Sequence, residues 1–294
     1  MADLPANPFA IGLSPLGDRS WLIAGDGLPA YLAEKAVLRA KHGARVLAAE
    51  PETASAQNEV LKRVAGWQLT HYPEQFSKLR DIITINGVPD PVRLDLNDEL
   101  LDTAGRLCAE DLVLMRKGET GWRLAAASLS FPSSWSLAEK FTRPMDEVHK
   151  PVPGFSIGTR NATLINRIFD NLAPDETVLR GNWSIYDDDE LFHPNSHRTE
   201  DSKPDAEINT ATKFLREERQ TLTRLPTSGD ILFTILVTTS PLTELSKSPS
   251  GRTKAANLLS QLEAMTPDQL AYKALTWQKN GLVAHLRQIV GGLV

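Results

Sequence analysis

The sequence predicts an α+β protein: a five-stranded antiparallel sheet with a helical insertion and flanking N- and C-terminal helices. Three observations carry this. Helical spacing dominates before residue 110 and gives way to strand-like alternation after it. A hairpin-joined pair of strands comes first, and three more strands follow a helical interval. Helical spacing returns from about Arg252 to the end. One domain over residues 1–294 is therefore expected, with a helical region at 1–110, a sheet core at 111–240 and closing helices at 241–294.

Each element has a local reason. Tyr31 to Lys41 is rich in Ala, Leu, Glu and Lys, the strong helix formers. From Glu52 to about Gln68, the apolar residues Val60, Leu61, Val64 and Trp67 recur at helical steps. Asp95-Leu96-Asn97-Asp98-Glu99-Leu100-Leu101 reads as a capped helix start leading toward Glu110.

Leu112 to Met115 and Trp122 to Phe131 alternate as strands around a glycine-bearing hairpin connection, Lys117 to Gly121. An irregular to helical stretch, Leu137 to Val148, ends at the Pro151/Pro153/Gly154 break. Asn161 to Leu172 places Leu164, Ile165, Ile168, Phe169 and Leu172 on one helical face. Strands are expected at Thr177 to Tyr186, Phe214 to Leu225 and Ile231 to Thr238, the last two joined by a turn at Pro226 to Gly229. An acidic loop, Asp187 to about Asp205, separates the first of these from the others and is a candidate lid. Thr266-Pro267-Asp268-Gln269 opens a helix that carries Tyr272 and Trp277.

Composition excludes several functions. The formal charge is −5, the apolar fraction 41% and the charged fraction 23%, so neither nucleic acid nor an anionic membrane is an expected partner. No apolar run approaches the roughly 20 residues that span a bilayer. Residues 1–21 show no basic stretch followed by an apolar one, so a cytoplasmic location is expected. The single cysteine, Cys108, cannot build an iron–sulfur cluster, a disulfide or a Cys-rich zinc site, and its apolar setting suits a buried thiol. There is no glycine-rich phosphate loop for a nucleotide or dinucleotide. Electrons for any redox chemistry must come from elsewhere.

Three segments carry groups that need a partner. Arg216, Glu217, Glu218, Arg219, Gln220 and Arg224 crowd a strand that runs beside apolar sequence. With period two, Arg216, Glu218, Gln220 and Leu222 share one face, and Glu217, Arg219 and Thr221 the other. An Arg/Glu lattice between strands accounts for these residues, as does a bound ligand. In the second segment Val178, Arg180, Asn182 and Ser184 share a face, and Gly181 admits close approach of a flat ligand. Arg180 beside Asn182 suits a polarised oxygen or a carboxylate, or simply a solvated sheet face. The third is His149, just before two prolines that restrict the backbone.

Taken together, Lys213 to Leu242, Val148 to Gly154 and Arg180-Gly181-Asn182-Trp183 resemble the haem-dependent oxidative N-demethylase alpha-subunit family, and the resemblance runs from about Trp21 to about Leu286. It implies a PAS-like haem fold, whose strand order agrees with the one read above. It implies haem b, with His149 in the helical insertion as axial iron ligand and His193 or His197 as competing ligands. His42, His71 and His285 are bystanders on this reading. The cofactor-binding residues would be His149, Arg180, Asn182 and Arg224, with Arg216 and Arg219 further candidate propionate partners. The catalytic residues would be Glu218, Arg180 and Arg219, Glu218 binding a protonated amine.

Met145 and Trp135 would line an apolar haem face, and core packing accounts for them equally well. The implied reaction is a monooxygenase N-demethylation of a small secondary methylamine such as dimethylamine, using oxygen and a separate flavin/iron–sulfur reductase subunit and releasing formaldehyde. A non-catalytic haem or small-ligand sensor is the alternative. The sequence departs from the family at Leu236 and Thr239, where arginine and tyrosine are usual, and at Glu139 to Pro144, usually glycine-containing; both leave the substrate open.

Overall fold

The computed structural model describes residues 9–95, 99–156, 158–195 and 209–292. In chain order these form β1 (Ser14–Pro15), α1 (Leu28–His42), β2 (Leu47–Ala49), α2 (Ala54–His71), β3 (Phe76–Leu79), β4 (Ile82–Ile85), β5 (Val92–Arg93) and α3 (Leu100–Gly105). Then come β6 (Asp111–Gly118), β7 (Gly121–Ser128), α4 (Leu137–Lys140), α5 (Met145–Val148), α6 (Arg160–Asn171) and β8 (Thr177–Tyr186). The chain closes with β9 (Phe214–Arg224), β10 (Ile231–Pro241), α7 (Pro249–Ala264), α8 (Pro267–Tyr272) and α9 (Lys279–Val290).

The main sheet runs β1-β8-β9-β10-β6-β7-β2, and every neighbouring pair is antiparallel. Its centre is the five long strands, with β8, β9 and β10 laid beside the β6–β7 hairpin. Gly229, at φ 75°, closes the β9–β10 turn in the left-handed region that glycine enters without strain. The expected helix and loop before residue 110 is corrected here: β3, β4 and β5 form a separate three-stranded sheet, and β1 and β2 extend the edges of the main one. These strands are two to four residues long, too short for alternation to stand out in the sequence. The helix expected from Asp95 toward Glu110 stops early, since α3 spans Leu100–Gly105; residues 96–98 of that expected element lie outside the described residues.

Alternation divides the apolar residues between two faces. Leu112 and Leu114 of β6 and Leu232 and Leu236 of β10 pack with α2, α3 and the small sheet. Val113, Met115, Ile231, Ile235 and Val237 point the other way, toward α5 and α6. On β7, Trp122 and Leu124 share this second face with Ala127, a break in period two. A register shift opposite Leu114/Met115 explains it, because one extra residue in β7 inverts the parity beyond it. A third cluster packs Trp183, Ile185 and Leu215 under α7, α8 and α9. The closing helices are well started: Thr266 and Gln269 form a reciprocal capping box at α8. Among the described residues no helix is long and apolar enough to cross a membrane.

The first face is thus closed by helices along its length. The second retains a gap between the sheet and the helical insertion.

Candidate functional site

That gap is a cavity of about 230 Å³. One wall is the sheet, with Arg180 and Asn182 of β8, Glu218, Gln220 and Leu222 of β9, and Phe233 and Ile235 of β10. The facing wall comes from the insertion: Trp135, Lys140, Met145, Val148, His149, Phe155, Ile165 and Phe169. Tyr272 and Lys273 close one end.

Sheet register decides which polar groups meet. Asn182 lies opposite Glu218 and Arg180 opposite Gln220, so four polar side chains form one patch on a shared face. Glu218 is 8% exposed, and its Oε2 accepts from Asn182 Nδ2 at 3.2 Å and Gln220 Nε2 at 2.6 Å. Both bonds fall on the same oxygen, which leaves Oε1 without a hydrogen bond among the described residues. Asn182 Oδ1 in turn accepts from Lys273 Nζ at 3.3 Å, and Lys273 also donates to the Trp183 carbonyl. Arg180 Nε is buried and has no hydrogen-bond partner among the described residues. Burial lowers the Arg180 pKa, and Glu218 opposes that shift.

His149 faces this patch from the insertion. Its backbone is fixed on both sides: the N–H donates to Met145 O at 3.0 Å, and the carbonyl accepts from Val152 N at 2.8 Å. Burial, and then the charges of Lys140 and Arg180, push the imidazole down to about 4, against the backbone of Met145. The ring is therefore neutral at physiological pH, with a nitrogen lone pair available to a metal. Lys140 Nζ sits 4.4 Å from the centre of the Trp135 ring. Burial pushes this amine down to about 8, with Glu218 and Glu139 acting the other way.

Several expected site residues lie elsewhere. Arg219 is on the opposite face of β9, where it donates to Trp21 O at 2.8 Å and to Ser20 O. Arg224 donates to the carbonyls of Phe169, Asp170 and Leu172 at 3.3–3.4 Å, and so caps the end of α6. Arg216 is 1% exposed and donates to Ser133 Oγ at 2.8 Å and to the carbonyls of Phe131, Pro132, Glu190 and Leu191. All three guanidinium groups are engaged by the protein itself, outside the cavity lining.

The other histidines are also placed away from it. His193 Nε2 lies 3.1 Å from Asp188 Oδ1, with its ring against Tyr186. His197, like much of the expected lid, lies outside the described residues. His42 stacks on Phe192, His71 on Trp67, and His285 meets Thr210 Oγ1. Cys108 is fully buried, and burial pushes its thiol up to about 12, the state of an inert structural cysteine.

Lys140 and Lys273 were not expected as site groups from the sequence, and Tyr272 was expected only as a helix residue. Nothing local marks them, because packing of the insertion and of α8 against the sheet brings them to the cavity.

Among the described residues no three His, Cys, Asp or Glu side chains are grouped to hold a bare metal ion. A haem needs less from the chain, because the porphyrin supplies four nitrogen ligands and the protein one axial donor. The neutral His149 imidazole, the apolar walls and the unpartnered Arg180 nitrogen fit such a group: one axial donor, a surface for the macrocycle and a donor for a carboxylate.

No curated protein matches the chain. A family profile described as "Haem-dependent oxidative N-demethylase, alpha subunit-like" matches residues 12–282, which include every polar group of the cavity. By that match, the chain belongs to the haem-dependent oxidative N-demethylase alpha subunit-like family.

Proposed function

We propose that this chain is the catalytic subunit of a haem-dependent oxidative N-demethylase that acts on a small secondary methylamine, of which dimethylamine is the smallest. The observation that carries this reading is a neutral, half-buried imidazole facing a Glu218–Asn182–Gln220–Arg180 patch across an apolar gap. The sheet order supports a PAS-like description of the core, with the insertion between β7 and β8 supplying the axial residue.

His149 would hold haem b by its iron, and Arg180 would hold a haem carboxylate. When bound, the haem supplies the redox chemistry with dioxygen. The chain supplies the rest. Glu218 accepts an N–H of the protonated amine at Oε1, while Asn182 and Gln220 hold its other oxygen and so fix the carboxylate plane. The carboxylate can take the proton that a dialkylammonium must lose before its methyl group is oxidised. Phe233, Ile235 and Leu222 exclude water around the methyl group.

The balance requires a partner. The methyl carbon gives up two electrons and leaves as formaldehyde. Dioxygen takes these and two more from a separate flavin/iron–sulfur reductase, together with two protons. One oxygen atom ends in formaldehyde and the other in water. A cytoplasmic location is part of this proposal.

The test is formaldehyde release from dimethylamine by the purified, haem-reconstituted chain with a supplied electron donor. Turnover is expected. Haem uptake and amine binding without formaldehyde would replace the enzyme reading with a sensor, and no Soret band after reconstitution would remove both.

A further inference from the structure

With Arg180 given to a haem carboxylate, Lys140 is left as a cation of the lining with no anion bonded to it among the described residues. Among the described residues neither Lys140 nor Arg180 has a carboxylate within ion-pairing distance, and Glu218 is the one carboxylate in the lining. Glu218 is near enough to shift the Lys140 amine and too far to pair with it. Lys140 is half-buried, an unpaired ammonium withdrawn from water is costly, and a dialkylammonium would add another positive charge to the same space. A zwitterion adds none.

From this charge inventory we infer that the preferred substrate is a secondary methylamine that also carries an acid group, of the N-methyl amino acid class. Its ammonium lies on Glu218 Oε1 and its carboxylate on Lys140 Nζ. Trp135 beneath Lys140 holds that amine over the cavity, and the open oxygen of Glu218 supplies the opposite anchor. Lys140 is then a specificity-determining residue. This inference rests on the amine-oxidising reading above and narrows its substrate class.

Calorimetric titration of the haem-loaded chain with N-methylglycine and with dimethylamine tests it, with the Soret band recorded in the same samples. N-methylglycine is expected to bind at least about 10-fold more tightly, the effect of one charge-assisted hydrogen bond. Lys140→Met is expected to weaken N-methylglycine about 10- to 100-fold and to leave dimethylamine within a few-fold, whereas Lys140→Arg retains most of the preference.

Equal affinities in the unmodified chain, or tighter dimethylamine binding, overturn the inference. It is also overturned if Lys140→Met loses haem and changes both amines alike, since Lys140 would then serve a haem carboxylate. If no Soret band forms, the haem reading fails by itself. Calorimetry on the chain as purified still decides between the two ligands.

Discussion

The two faces of β9 carry the same kinds of residue and use them in opposite ways. On the helix-covered face, Glu217 accepts from Lys254 Nζ at 2.7 and 2.9 Å, Arg219 donates to two backbone carbonyls, and the Thr221 hydroxyl meets that of Thr234 at 2.6 Å. Both charges there are answered from within the protein. On the cavity face, Glu218 keeps one oxygen unbonded among the described residues, and neighbouring Arg180 has an orphaned nitrogen. Density of charge on a buried strand therefore does not mark a site. On β8 and β9 the difference is incomplete pairing toward the cavity, which a folded chain retains only at a cost in stability.

The contrast can be broken by substitution. Arg216 lies on the cavity-side parity but is fully engaged with five acceptors, so it should behave as a structural residue. Arg216→Ala should lower stability by about 3–5 kcal/mol in denaturant unfolding. A smaller loss, with amine binding abolished, would move Arg216 into the site. On the covered face, Lys254→Met strands Glu217 and should cost about 2 kcal/mol, with haem and amine binding unchanged in the folded fraction.

Glu218→Gln should have the reverse profile. The amide oxygen can accept the same two bonds, so stability should stay within about 1 kcal/mol, while amine affinity falls about 10- to 100-fold. A stability loss matching that of the Lys254 variant would make the two faces alike.

The smallest effect expected is a pH dependence. Burial holds Lys140 down to about 8, so its positive charge is present below that pH and lost above it. Affinity for N-methylglycine should fall as pH rises through about 8, and Lys140→Met should flatten that part of the curve. An affinity that rises through the same interval would contradict the assigned role.

How much of this was legible depends on whether the signal was local. β8 was expected at Thr177 to Tyr186, and that is its span, because alternation is continuous and the loops that bound it are polar. The pairing of Asn182 with Glu218 was only half legible: the shared faces follow from period two, but register depends on long-range packing. The same parity separates Arg219 from Glu218, yet both were expected in the site. The structure shows Arg219 answering the carbonyls of Ser20 and Trp21, far away in the chain. Lys140, Tyr272 and Lys273 were not legible as a group, since nothing in their spacing indicates that they meet. The β3–β4–β5 sheet was missed because such short strands give alternation too few positions to register.

The central claim is that His149 holds an iron porphyrin in this cavity. The absorption spectrum of the haem-reconstituted chain, oxidised and reduced, compared with that of His149→Ala, tests it most directly. A histidine-ligated Soret spectrum is expected in the unmodified protein, lost or shifted in the variant. An identical spectrum in both, or no Soret band in either, would contradict it.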